Sequence, residues 1–390
     1  MTTGRGGGEL DVVLTYAFDT LADAAVRDFM RPPDRLALHL AGSADVRRVL
    51  VADPPRSVLG LVRRGSGVQP VLPGAESGRY TFSPRRLGRR EPATATAAQR
   101  WARWYDRQLE AAAGRAGLSR PLLLTCHPFV AAWAPARWAS DIVYYARDDW
   151  ASHPSYARLS VAVRAAYERL RRSRRKVAAV SGVLLDQVLG PEVHGRGLVV
   201  PNGVDPELWQ DPGPSPGWAT LLPRPLAVYA GSVDSRLDTD AILALSRSGS
   251  GVHVALVGPV MEPSAVADLV GVPGVDLLGN RPHGEVAALL AAADVALLLH
   301  RETPLTRSMD PLKLYEYLAA GLPVVASDLP ELRGRGERVR LVPPGADPSE
   351  AVRAAAAEPR LPELLRLAAV REMSWDDRFR RLLAFAALPA

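Results

Sequence analysis

Lys313 and Glu316 stand about one helical turn apart in a stretch whose pattern predicts a helix. Apolar residues recur at helical spacing up to Gly321, which ends the helix. Asp310 is suited to cap this helix, and Pro311 suits its first turn. The free amides of a helix N-terminus attract phosphate, and Lys313 adds a full positive charge beside them. Glu316 can accept hydrogen bonds from ribose hydroxyls, so the pattern predicts a nucleotide-sugar site.

The residues around this pair carry a family resemblance. The segment 308–327 resembles the donor-site segment of bacterial GT-B glycosyltransferases (the family 4 and family 1-like group), above all the variety that reads MDPLKLYEYLAAG and then PVV. Such relatives often have two glutamates eight positions apart, the second of which binds ribose. Glu316 matches the second, whereas Ser308 takes the place of the first. The resemblance implies donor contacts from Ser308, Met309, Asp310, Pro311, Leu312, Lys313 and Glu316. The alternative is an ordinary amphipathic core helix.

Further donor-site candidates follow other predicted strands of the second half. Gly231 comes after an apolar strand at 227–230 and would let the backbone approach the donor phosphates. The resemblance implies a phosphate-binding basic residue at Arg236 and contacts to the nucleotide base near Asn280 and Arg281.

The run 238–240 spells the Asp-X-Asp motif of metal-dependent transferases. It stands at the start of a predicted helix, where acidic side chains cap the helix and oppose its dipole. Lys313 and a helix N-terminus can stabilise a leaving diphosphate without a metal. We therefore expect no metal and no cofactor, with a nucleoside diphosphate sugar, UDP above all, as the donor.

Two adjacent carboxylates, Asp148 and Asp149, follow an apolar strand at 142–145. The carboxyl end of such a strand is where a base would meet an acceptor hydroxyl. The run resembles the strand followed by Asp-Asp-Trp in the same transferases, and Asp149 ranks first. A helix cap followed by a surface acid is the alternative. His127 ends another strand and ranks third; Cys126 beside it is disfavoured as a nucleophile, since neighbouring strand residues point to opposite faces.

The composition, 47% apolar and 23% charged, is that of a soluble globular protein. A single cysteine excludes an internal disulfide and fits a reducing cytoplasm. No apolar run approaches the length of about 18 residues that a membrane span needs, and the first eight residues do not resemble a signal peptide. We therefore expect a cytoplasmic protein.

Charge is distributed unevenly along the chain. Residues 1–190 carry a net charge of +12 and the remainder −6. Arginine clusters lie at 85–90 and 171–176. A basic half can meet anionic lipid or an anionic acceptor. Nucleic acid is not expected, because no nucleic-acid motif accompanies the charge. The expected partners are a nucleotide sugar and a hydroxyl acceptor, lipid-linked or small, with peripheral contact to an anionic membrane. A solvated arginine-rich surface is the alternative.

Strands and helices alternate through two halves of the chain, joined by the turn at Asn202-Gly203. This turn resembles the PNGVD hinge of the same transferases. The fold class expected is α/β, with two Rossmann-like doubly wound domains facing a cleft: an acceptor domain at 1–200, a donor domain at 201–372, and a helix at 373–390 that crosses back. The function expected is transfer of a hexose from a nucleotide sugar to a hydroxyl. A nucleotide-sugar epimerase and a non-catalytic nucleotide-sugar-binding subunit are the alternatives.

Overall fold

The structure is a computed structural model that describes residues 10–58, 72, 78–88, 90–191 and 195–388. The chain divides into two compact units, one formed by Met1–Pro201 with Arg378–Ala390 and the other by Asn202–Asp377. Among the described residues, no helix is both long enough and apolar enough to span a membrane.

The first unit is built on a seven-stranded parallel sheet in the order β4-β2-β1-β6-β7-β8-β9. Its strands, with the small pair β3 and β5, are β1 Leu10–Thr15, β2 Val46–Ala52, β3 Arg56–Ser57, β4 Arg79–Phe82, β5 Arg85–Arg86, β6 Leu122–Thr125, β7 Asp141–Ala146, β8 Lys176–Ala179 and β9 Gly197–Val199. The central strands are almost continuously apolar because helices cover both faces of a parallel sheet. These helices are α1 Leu21–Val26, α2 Pro32–Gly42, α3 Ala95–Arg115, α4 Pro128–Trp133, α5 Ser160–Arg171 and α6 Gly182–Leu189.

The second unit has a six-stranded parallel sheet in the order β12-β11-β10-β13-β14-β15. Its strands are β10 Leu226–Ala230, β11 His253–Val257, β12 Val275–Gly279, β13 Val295–Leu298, β14 Val324–Ser327 and β15 Val339–Val342. Its helices are α7 Pro206–Gln210, α8 Thr239–Arg247, α9 His283–Ala292, α10 Pro304–Ser308, α11 Leu312–Ala319, α12 Ser349–Ala356 and α13 Glu363–Glu372, followed by α14 Trp375–Ala387, whose residues from 378 belong to the first unit. The strand order reverses between β10 and β13, and such a switch point is where doubly wound sheets bind ligands.

The expected fold class, two Rossmann-like doubly wound domains, is confirmed. The arginine clusters, by contrast, are partly structural. Arg85 and Arg86 form β5, which pairs with β3, and Arg86 contacts Glu91 at 2.5 Å. Arg175 donates to the carbonyl oxygens of residues 131 and 134 at the end of α4. Lys176 pairs with Asp141 at 2.7 Å. Arg89 lies outside the described residues. Some of the charge in these clusters therefore holds the first unit together.

Candidate functional site

Two glycines leave bare backbone at the switch point of the second sheet. Gly231 follows β10 with φ of 136°, and Gly258 follows β11 with φ of 140°. A Cβ on Gly258 would lie 2.1 Å from the carbonyl oxygen of Gly231, and a Cβ on Gly231 would lie 2.9 Å from Lys313 Nζ. A side chain on Gly258 would clash with backbone, and one on Gly231 is disfavoured by the φ of 136° and would displace the end of Lys313. The end of β10 is a place where a ligand can approach the main chain directly.

Lys313 places its ammonium at this point. It lies in the first turn of α11, and its Nζ donates to the Tyr229 hydroxyl at 2.6 Å and stands 3.8 Å from the centre of that ring. Burial, and then the neighbouring Arg236 guanidinium, lower the pKa of Lys313 well below its usual range. A bound diphosphate would reverse this effect, because an opposite charge favours the ammonium. The chain has only two lysines among its 48 basic residues, and Lys313 is one of them.

Tyr229 and His300 belong to the same cluster and were missed by sequence reasoning. His300 follows β13, and its Nε2 lies 3.3 Å from the Tyr229 hydroxyl and 3.5 Å from Lys313 Nζ. Its backbone amide donates to Ser327 Oγ at 2.9 Å. Burial and the nearby Lys313 lower the pKa of His300 well below its usual range, so the ring is neutral. The available signal was a histidine directly after an apolar strand.

Arg236 stands beside Lys313 and is oriented by an acid that sequence reasoning also missed. Asp234 accepts two hydrogen bonds from the Arg236 guanidinium, at 2.6 and 2.8 Å. Arg236 Nη1 lies 3.9 Å from the sulfur of Met309. The structure therefore brings together four of the predicted donor residues, Gly231, Arg236, Met309 and Lys313.

Glu316, one turn along α11 from Lys313, is joined to a histidine. Its Oε1 lies 3.0 Å from Nε2 of His283, the first residue of α9, and its side chain is 14% exposed. Asn280 is exposed on the turn before α9. Arg281 donates to the Leu278 carbonyl at 3.2 Å and lies 4.7 Å from the Trp218 ring. The roles of Glu316, Asn280 and Arg281 toward ribose and base stay predictions.

Asp310 does not cap α11, so that expectation is wrong. The cap position is Pro311, and no side chain caps the helix there. The buried Asp310 carboxylate accepts instead from the Asn202 amide at 2.6 Å, the Tyr315 hydroxyl at 2.8 Å and Arg335 at 3.1 Å. These three donors satisfy the Asp310 carboxylate in place of the helix amides. Two of them are buried neutral groups, and the third is the Arg335 cation, which forms a charge-assisted hydrogen bond. Asp310 thus ties the segment that begins α11 to the turn at Asn202. Ser308 is likewise buried and donates to the Leu305 carbonyl at 2.9 Å.

The buried position of Asp310 predicts a stability change with pH. Burial raises the pKa of this carboxyl from 3.8 to about 6, despite the opposing Arg335. The folded state therefore binds a proton that the unfolded state does not between about pH 4 and 6, and stability falls as pH rises through this window. Asn does not titrate, so Asp310→Asn should gain roughly 3 kcal/mol relative to the wild type between pH 4 and 7. Urea unfolding of both proteins across this range measures the difference; pH-independent spacing of the two curves contradicts the assignment.

The two carboxylates of the first unit differ in access. Asp149 is 3% exposed, and its Oδ1 accepts from the Ala151 amide at 3.1 Å. The side chain of Asp148 is 29% exposed and lies 3.7 Å from Arg147. Both follow β7, at the carboxyl edge of the sheet where the sequence predicts a base. Of the two, Asp148 is the one that solvent reaches.

His127, the third candidate base, is enclosed. Its Nδ1 accepts from the Phe129 amide at 3.2 Å and caps α4. The rings of Phe18 and Trp101 lie 4.9 and 4.6 Å away. Burial, with a smaller effect of Arg86, lowers the pKa of His127 to about 3, which makes the ring a weak base. Burial also raises the pKa of the Cys126 thiol to about 12, so a thiolate nucleophile is disfavoured there, as the sequence indicates.

The Asp-X-Asp run has a local role. Asp238 is the cap of α8 and accepts from the Ala241 amide at 3.2 Å, and Asp240 pairs with Arg301 at 3.1 Å. The capping interpretation of this run therefore accounts for Asp238, and an ion pair engages Asp240.

The part of the chain that contains the Lys313 cluster is similar to known glycosyltransferases. Residues 229–357, which contain the Lys313 cluster, match the family model described as Glycosyl transferases group 1. Over 135 residues the chain is 30% identical to TuaH of Bacillus subtilis (strain 168), whose name describes a glycosyltransferase of teichuronic acid biosynthesis. This match spans 34% of each protein, so the chain matches about a third of that relative's length.

Two solved structures match almost the whole chain. HepE of Anabaena, solved with UDP and glucose, is 13% identical with a TM-score of 0.61, and the match covers 96% of this chain and 99% of HepE. An α,α-trehalose 6-phosphate synthase of Burkholderia multivorans is 14% identical with a TM-score of 0.65, and that match covers 97% and 98% of the two chains. The chain therefore has the fold of the GT-B glycosyltransferases, with a Rossmann-like unit in each half.

Proposed function

We propose that the protein transfers a hexose from a UDP-sugar to a hydroxyl acceptor without a metal ion. The observation that carries this proposal is the position of Lys313: its ammonium lies against Gly231 at the switch point of the second sheet, in the first turn of α11. A diphosphate needs such a place, with bare backbone, helix amides and a cation together. The family match over residues 229–357 supports it, as does the fold shared with HepE, a structure that contains UDP and glucose.

In this proposal the second unit binds the donor, and the first unit binds the acceptor and supplies the base. The acceptor hydroxyl gives its proton to Asp148 or Asp149, and its oxygen bonds to the anomeric carbon of the sugar. The bond between that carbon and the diphosphate oxygen breaks. Negative charge then grows on the diphosphate, where Lys313, Arg236 and the first amides of α11 stabilise it.

Release of UDP tests this function and separates the alternatives. The protein is incubated with UDP-glucose and other UDP-sugars, with and without a panel of sugar and lipid acceptors. A transferase releases UDP faster when an acceptor is present. An epimerase changes the donor sugar without net release of UDP, and a binding subunit shows stabilisation by UDP in a thermal-shift assay but no turnover. Either of the last two results overturns the proposal.

A second part of the proposal concerns location: a cytoplasmic protein with peripheral contact to an anionic membrane. Arg85 and Arg90 are exposed on either side of Leu87, which is 83% exposed. Each arginine near an acidic bilayer adds about 1 kcal/mol, and salt screens this attraction. We expect pelleting with vesicles that contain phosphatidylglycerol, weakened by salt, and none with phosphatidylcholine alone. The double variant Arg85→Glu, Arg90→Glu should stay in the supernatant. Equal pelleting with both vesicle types, or none, rejects membrane contact.

A further inference from the structure

The loop after β1 gathers several arginines of the first unit around one carboxylate. Asp19 lies 2.8 Å from Arg27, 3.1 Å from Arg147 and 3.7 Å from Arg31. On the other side of the same loop, Arg56 donates to the Phe18 carbonyl at 2.9 Å. The loop lies at the carboxyl edge of the sheet, where doubly wound folds bind their ligands.

Two of these arginines have their charge matched. Arg27 forms two hydrogen bonds with Asp34, both at 2.7 Å, in addition to its contact with Asp19. Arg147 has a side chain that is 6% exposed and lies between Asp19 and Asp148. Such buried bidentate or shared pairs hold the loop in place and leave little for a ligand.

The other two arginines face solvent and are loosely paired. The side chain of Arg31 is 51% exposed, and its nearest carboxylate oxygen, on Asp19, is 3.7 Å away. The side chain of Arg56 is 42% exposed, and its contact with Asp23 is 3.5 Å long. The guanidinium groups of Arg147 and Arg27 are two further cations near Arg31, and an anion placed there would relieve the repulsion among these charges.

An aromatic surface lies beside these guanidinium groups. The Tyr156 ring stacks on Phe18 at 4.6 Å with an interplanar angle of 28°, and Trp150 meets both rings edge-on at 4.9 and 5.2 Å. Tyr156 is partly exposed. The charges of Arg31 and Arg56 both act on its hydroxyl. A partly exposed ring next to loosely paired cations matches a ligand with one apolar face and one anionic group.

We propose that the first unit binds an anionic sugar, with a phosphate or carboxylate on Arg31 and Arg56 and the sugar ring against Tyr156. The inference rests on the proposed function only in calling this ligand the acceptor. Binding of the anionic sugar itself needs no turnover.

The test compares the binding of three matched probes: glucose 6-phosphate, glucuronate and glucose. Saturation-transfer NMR measures the binding of each probe in the presence of UDP. We expect both anionic probes, or one of them, to bind about tenfold more tightly than glucose, with affinity that falls as salt rises. The tighter of the two anionic probes identifies phosphate or carboxylate as the group recognised. Arg31→Ala should remove the preference over glucose. Arg172→Ala, at a side chain of the same unit that is 79% exposed, should keep it.

The outcomes separate this inference from the proposed function. Equal binding of all three probes, no binding of either anionic probe, or the same loss in the Arg31 and Arg172 variants overturns the anionic-sugar site. UDP binding should be the same in the Arg31 variant and the wild type, which shows that the donor unit is intact. If the anionic probe binds through Arg31 but no sugar is ever transferred, the site stands and the transferase proposal fails. If sugar is transferred but the anionic probes do not bind, or bind equally well in the Arg31→Ala variant, the transferase proposal stands and the anionic-sugar site fails.

Discussion

Replacing Lys313 with alanine is expected to weaken UDP binding by about tenfold to a hundredfold. The ammonium lies against Gly231, and a charge-assisted hydrogen bond to phosphate is worth roughly 1.5–3 kcal/mol. Its pKa is lowered in the free protein. UDP should raise that pKa, so binding takes up a proton at pH values above the free pKa and below the bound one. Calorimetry in two buffers of different ionisation enthalpy measures both the affinity and this proton uptake.

Two further variants make the result specific. Lys313→Met keeps most of the side-chain volume and removes the charge, so it should lose affinity and proton uptake together. Arg353→Ala removes an exposed charge on α12 of the same unit and should leave both unchanged. If Lys313→Ala binds UDP with wild-type affinity, the diphosphate does not bind at this site.

The second large effect is expected in the first unit. Asp148→Asn should lower turnover by about a hundredfold or more, the usual loss when a general base is removed, and leave UDP binding intact. The sequence ranks Asp149 first, but the structure gives access to its neighbour: the Asp148 side chain is 29% exposed, whereas Asp149 is 3% exposed. Initial rates at saturating donor and acceptor measure the effect.

Asp149→Asn is the matched comparison. An asparagine oxygen can still accept the hydrogen bond from the Ala151 amide, so the turn after β7 should persist. This variant removes the negative charge and keeps the shape. If Asp148 is the base, Asp149→Asn retains most of its activity. A hundredfold loss in Asp149→Asn with near wild-type rates in Asp148→Asn would assign the base to Asp149 instead.

The fold was predictable because its signals are local. Apolar runs bounded by glycine and proline mark the strands, and amphipathic periodicity marks the helices between them. Gly231 and Lys313 could be predicted as candidate site residues for the same reason: one follows a strand and the other lies in the first turn of a helix. Tyr229 was missed because it lies inside an apolar strand, where the sequence favours a core role.

Asp310 shows why other side-chain contacts could not be predicted from the sequence. Its position before Pro311 indicates a helix cap, yet its partners Asn202 and Arg335 are 108 and 25 residues away along the chain. Competition between a local amide and distant donors is decided by packing, which the local pattern does not contain. The same holds for Arg175 and Lys176, which the sequence presents as part of a basic cluster. In the structure Arg175 donates to backbone carbonyls, and Lys176 pairs with Asp141.

Because the chain has only two lysines, amine-directed reagents have few side chains to modify. Besides the chain terminus, the amine groups are those of Lys176 and Lys313 alone. The side chain of Lys176 is 3% exposed and held by Asp141, so reagents do not reach it. Burial, and then the neighbouring Arg236, lower the pKa of the Lys313 amine, so it loses its proton more readily than an ordinary lysine and is the more nucleophilic of the two. A phosphorylated aldehyde that forms imines would therefore label one side chain of this protein, and bound UDP would shield that side chain from modification.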